Sequence, residues 1–262
     1  MKKHADIVVF AVALLLLVAG MPAAAADNHT YFRLGVGLDQ LSDTRFLDTD
    51  CRSESPAALY GCGPGKNGDV LSTVGGFGGT SAFEVGWGRT VTSTARLELS
   101  VDYRPHHTFR GTANFLAPGR MQSVEAGVSS WSGLMSAYLD LPPVQIGNLR
   151  SGRPFVGAGF GAGRNVVRQM LQTFPRTTTV VPGGAWTGRV WMLTAGMAIP
   201  LGDTASLDVA WRYTDAGFLE TERGEGRVIW RDGSREPLVL DLAPTRARLQ
   251  GHGIRVSLRY AY

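Results

Sequence analysis

Past its first 26 residues this 262-residue chain lacks any long apolar run. No later stretch approaches the ~18 uncharged apolar residues that a membrane helix needs, so no helix is expected to span a bilayer. Concentrated charge is missing too. Lys and Arg number 26 against 22 acids, a net charge of +4, and the bases are mostly Arg spread along the chain. Neither the sum nor the spacing points to nucleic acid. Reactive constellations are equally scarce. Gly157-Ala158-Gly159-Phe160-Gly161-Ala162 has the spacing G-x-G-x-x-A, but its glycines continue at period two and no parallel-strand unit precedes them. Gly63-Pro64-Gly65-Lys66 lacks the first Gly and the Ser/Thr of a phosphate loop. His106-His107 reads as a surface loop pair without a third metal ligand. His252 and Ser257 are an odd number of residues apart, hence on opposite faces of one strand. No catalytic set, metal site or cofactor is expected.

What is present is alternation. In Gly253–Tyr262 every second residue is apolar (Ile254, Val256, Leu258, Tyr260, Tyr262), and the residues between are small or cationic. A strand sends successive side chains to opposite faces, so this is a ribbon with one oily and one polar face. About ten residues suffice for a tilted strand to cross a bilayer. A lone strand in lipid leaves its edge N–H and C=O groups unpaired, so a sheet of such strands must close into a barrel.

Seven more stretches alternate: 32–38, 81–89, 96–104, 131–141, 155–163, 189–199 and 207–214. The segments between them are long, short, long, shorter, long, short, long. Membrane barrels of this kind have short turns at one end and long loops at the other. Within the last segment, Val228-Ile229-Trp230 and Leu238-Val239-Leu240 flank the turn-forming Arg231-Asp232-Gly233-Ser234. They read as a hairpin above the membrane; a further crossing pair, for ten strands, is the alternative. The fold expected is all-β: an eight-stranded antiparallel up-and-down transmembrane barrel with four long extracellular loops.

The first 26 residues read as a cleaved export signal. Lys2 and Lys3 precede the apolar run Ile7–Val18, and Ala24-Ala25-Ala26 supplies small residues before the cut. An uncleaved anchor is the alternative. Residues 27–262 then form one barrel domain. Cys51 and Cys62 fall in one Gly/Pro/Ser-rich segment. In an exported chain they are expected to form a disulfide in the first external loop, away from the barrel wall. Two free thiols or a metal pair is the alternative.

Pro154-Phe155-Val156-Gly157-Ala158-Gly159, Leu207–Gly217 and the aromatic C-terminus resemble the opacity-protein-like, porin-family outer-membrane β-barrels, of the OmpA type. The resemblance implies residence in a Gram-negative outer membrane, among its lipid and lipopolysaccharide. It implies that Leu258, Tyr260 and Tyr262 form the signal read by the outer-membrane assembly machinery. The sequence departs from the OmpA pattern in having no peptidoglycan-binding domain after the barrel, so a wall-tethering role is not expected.

The inward faces carry the acids Glu84, Glu98, Asp102, Asp140 and Asp208 and the bases Arg33, Arg96, Arg104, Arg212, Arg255 and Arg259. An eight-stranded barrel has an interior that side chains can fill. Nearly balanced charge in so narrow a space favours a paired ionic plug over a pathway. The function expected is a non-enzymatic surface protein, monomeric, that supports the envelope and presents loops to a host or environmental ligand. A small diffusion pore or a lipid-modifying enzyme is the alternative.

Overall fold

The computed structural model describes residues 29–145 and 151–262. The export signal lies outside the described residues. Strands run in the order β1 Thr30–Leu41, β2 Thr44–Asp48, β3 Thr73–Gly76, β4 Gly79–Thr92, β5 Ala95–Ala113, β6 Ser123–Asp140, β7 Arg153–Thr173, β8 Thr177–Val181, β9 Gly184–Pro200, β10 Ala205–Glu220, β11 Gly224–Trp230, β12 Leu238–Leu242 and β13 Thr245–Ala261. No helix occurs among the described residues.

Eight long strands form a closed antiparallel ring: β1, β4, β5, β6, β7, β9, β10 and β13, with β13 pairing back to β1. The closing seam runs from Tyr31↔Ala261 to Leu41↔Gly251. It is set by the alternation. Leu34 faces Leu258 and Val36 faces Val256 on the outside, and a slip of one residue would turn both oily rows inward. The outward side chains are strongly exposed, with Leu38 at 68% and Phe160 at 57%. Together they make an apolar belt around the cylinder.

The strands outrun that belt. β5 has 19 residues and β7 has 21, about twice what a bilayer crossing needs. Two of the expected long loops are consequently short. The segments 105–124 and 164–187 are mostly strand, leaving 114–122 between β5 and β6 and a short hairpin with β8 between β7 and β9. Tight turns at 93–94 and 201–204 and the 141–152 connection mark the other end, where β1 begins and β13 ends. The hairpin β11–β12 stays outside the ring and pairs with β8.

Three of the ring's four register shifts lie toward the loop end. One lies in β5 between Arg104 and His107, one in the β6–β7 pairing between Ala126 and Val128, and one in β10 between Asp215 and Phe218. Each is a bulge, with one more residue on one strand than on its partner. In β5 the bulge holds Pro105, a residue with no N–H to give the ladder. In β10 it holds Gly217 at φ +82°, a backbone region that side-chain-bearing residues avoid. Past the β5 bulge the inward positions switch from even to odd numbers. His107, Phe109 and Ala113 thereby turn inside. His107 is therefore a buried strand residue, not a surface loop residue, and its Nδ1 lies 3.1 Å from the Pro105 carbonyl. His106 remains exposed.

Candidate functional site: a filled lumen

The interior has two layers. Nearer the turn end it is ionic. Arg33 donates from Nε to Glu98 Oε2 at 2.9 Å and from Nη1 to Glu84. Arg212 pairs with the same Glu84 and donates to Asp102 Oδ1 at 2.8 Å. Arg96 grips Asp140 with two parallel bonds of 2.8 Å. Its guanidinium also lies 4.9 Å from the Tyr138 ring centre. Arg259 meets Asp208 at 3.1 Å. Arg104 and Arg255 both donate to Asp39, at 2.7 Å and 2.8 Å. All eleven inward charges listed by the alternation lie in this layer, each with an opposite charge.

Asp39 is the group the sequence reading missed. It ended the first strand at Leu38, although Asp39 continues the odd-numbered inward row of Arg33, Gly35 and Gly37. With Asp39 the layer holds six acids and six arginines. Arg33 and Arg259 stand opposite each other on paired strands. Like charges so placed repel; here each guanidinium has its own carboxylate. Glycine makes the room. A Cβ on Gly37 would lie 2.5 Å from the Ile254 backbone oxygen and from Arg255 Nη1, so glycine there leaves Arg255 room to cross to Asp39. A cavity between Arg33, Arg96, Tyr138 and Arg212 has a volume of about 10 Å3. That is room for about one water.

Nearer the loop end the interior is apolar, which the sequence reading did not foresee. Phe46, Phe77, Phe109, Met170, Leu219 and Leu249 form the centre of one buried cluster. Phe109 packs edge-on to Phe46 and tilted against Phe77, with ring centres 5.1 and 5.4 Å apart. The signal lay past the bulges, where the apolar parity changes.

The first loop packs onto the loop end of the barrel. Cys51 and Cys62 are bonded, with Cα atoms 4.9 Å apart. Their loop is not away from the wall, as expected. Ala57 bridges to Leu242 of β12, and Tyr60 is buried in the apolar cluster. The Tyr60 hydroxyl donates to Thr73 Oγ1 at 2.9 Å and accepts from Gln172 of β7. Burial pushes the Tyr60 phenol well above its ordinary pKa. Asp48 fixes the same turn by accepting three backbone N–H bonds, from Leu59, Tyr60 and Gly61. At the opposite end Tyr262 donates its N–H to Thr30, and its hydroxyl accepts from Trp87 Nε1 at 3.2 Å. Leu258 and Tyr260 lie on the outer row. His252 faces out and Ser257 in, so the two do not meet.

A closed ring with an oily outside and an interior of paired charges and packed apolar side chains is a transmembrane β-barrel. Residues 11–233 match the family described as outer membrane protein beta-barrel domain, and the chain belongs to that family. No curated protein sequence matches it. Among solved structures it is similar to the outer membrane protease OmpT from Escherichia coli, at 8% identity and a TM-score of 0.50. That match covers 93% of this chain and 99% of that one. It is also similar to the outer membrane protein OprG from Pseudomonas aeruginosa, at 10% identity and a TM-score of 0.45, over 90% and 96% of the two chains. At 8% identity what the OmpT match shows is the fold alone.

Proposed function

We propose that this protein is a non-conducting, non-enzymatic barrel of the outer membrane that holds a folded platform at the cell surface. The observation that carries the reading is the double layer in the lumen: a balanced set of twelve charges lies below a buried apolar cluster, which supports a lumen without a continuous passage. In this reading the turn end, where β1 begins and β13 ends, faces the periplasm and the loop end faces outward. The assembly machinery takes hold of the C-terminal strand through Leu258, Tyr260 and Tyr262. The platform of β2, β3, β8, β11, β12 and the cystine loop meets a host or environmental ligand.

Single cysteines test the orientation. Ser234→Cys, in the β11–β12 turn, should react with a membrane-impermeant maleimide on intact cells. Asp203→Cys, in the β9–β10 turn, should react only after permeabilisation. The reverse pattern contradicts the reading.

A further inference from the structure

Of the six lumen arginines, four direct Nε at a carboxylate: Arg33 at Glu98, Arg96 at Asp140, Arg104 at Asp39 and Arg259 at Asp208. Arg212 and Arg255 do not. They hold Asp102 and Asp39 through their Nη atoms, at 2.8 Å each. Their Nε atoms are buried and have no hydrogen-bond partner among the described residues. The two residues are only 3% and 1% exposed, so bulk water does not reach these donors. A buried donor without an acceptor is costly. Both residues line the cavity of about 10 Å3 in the ionic layer.

Donors dominate that cavity. Arg33 and Arg96 also line it, so four guanidinium groups border it against one carboxylate, Asp208. Arg259 and Ser206 already bond to that carboxylate. Guanidinium groups donate and never accept. The Ser257 hydroxyl accepts from Arg33 at 3.3 Å and keeps its own proton to give. A water here would find donors for its oxygen and few acceptors for its two protons. A monoatomic anion only accepts. A halide is little larger than a water, so the volume suits it, whereas sulfate or phosphate is too large. An anion taken out of water must be paired and hydrogen-bonded, and four guanidinium groups surround this one.

We propose that this cavity binds a single halide ion, in practice chloride, which accepts from Arg212 Nε, Arg255 Nε and the Ser257 hydroxyl. The ion is enclosed as the barrel folds. The inference rests on the lumen being filled. Conductance tests that reading, and the experiments on the ion are made on folded protein, so the two can fail separately. The full chain is refolded in detergent in sodium chloride or in sodium gluconate of equal ionic strength, and its urea unfolding is followed by tryptophan fluorescence. Chloride should raise the wild-type midpoint above that in gluconate, and the rise should saturate as chloride replaces gluconate. Ala210, on the cavity wall, offers a variant that keeps every charge. Ala210→Val adds two methyl groups there and should show the same midpoint in both salts. Crystals of the wild type grown in sodium bromide should show an anomalous bromine peak bonded to both Nε atoms. Equal wild-type midpoints in the two salts overturn the proposal. So does a chloride effect that Ala210→Val retains, which places the ion elsewhere, or a cavity that holds water and no bromide. If Ala210→Val does not refold, the bromide crystal decides alone: a peak at the two Nε atoms upholds the site, and its absence overturns it.

Discussion

Asp39 shows what a single lumen charge does. One carboxylate takes bonds from two guanidinium groups on different strands, β5 and β13. Asp39→Asn keeps the shape and leaves Arg104 and Arg255 without a countercharge. Breaking a buried pair in this way costs about 3–5 kcal/mol. Urea unfolding in lipid vesicles, followed by tryptophan fluorescence, should show a loss of that size, and a similar one for Glu98→Ala. Glu222→Ala, at an exposed position, should stay within about 0.5 kcal/mol of the wild type. Equal stability of all three variants would mean that water screens the layer. Tyr60 gives a pH test of the mouth. Its phenol is raised in the folded state, so its contribution to stability is full below the ordinary tyrosine pKa of about 10. That contribution falls as pH rises above about 10 toward the raised folded value. Protease cleavage within loop 42–78 should increase at that pH, and Tyr60→Phe should remove this part of the pH dependence. A pH response that Tyr60→Phe leaves unchanged would assign it elsewhere.

At the scale of the strand, the bulges decide what faces inward. In β5, Pro105 and His106 both point away from the lumen between inward Arg104 and His107. Deleting His106 removes the extra residue and keeps Phe109 inside, so that variant should fold. Deleting Thr108, two residues on, turns Phe109 outward and drives Arg110 unpaired into the apolar cluster. It should fail to give the heat-dependent gel shift of a folded barrel. Matching behaviour of the two deletions would show that the bulge does not set the face. The same element explains what the sequence made legible. Period two holds without interruption from Arg96 to Arg104, and it identified the strand and its inward charges. Pro105 then reads as a stop, because proline in a strand is allowed only at an edge or a bulge. Its meaning as a bulge depends on the partner strand β6, which local pattern does not reveal. Asp39 was lost for a smaller reason, a strand ended three residues early. The apolar cluster lay beyond legibility because its members come from eleven separate segments, several of them past a bulge.

Over the whole molecule, the charge layer and the apolar cluster stack along the barrel axis. In the proposed reading each closes the lumen independently. Phe109→Ala should destabilise the barrel by about 3–5 kcal/mol, the cost of emptying a packed aromatic site, yet leave the ionic layer intact and the lumen shut. The most direct measurement is the current through the refolded wild-type protein in a planar bilayer. A filled lumen predicts insertion without steady conductance, at either polarity and in high salt. Steady ohmic steps that scale with salt concentration would contradict it, and the protein would then be a small pore.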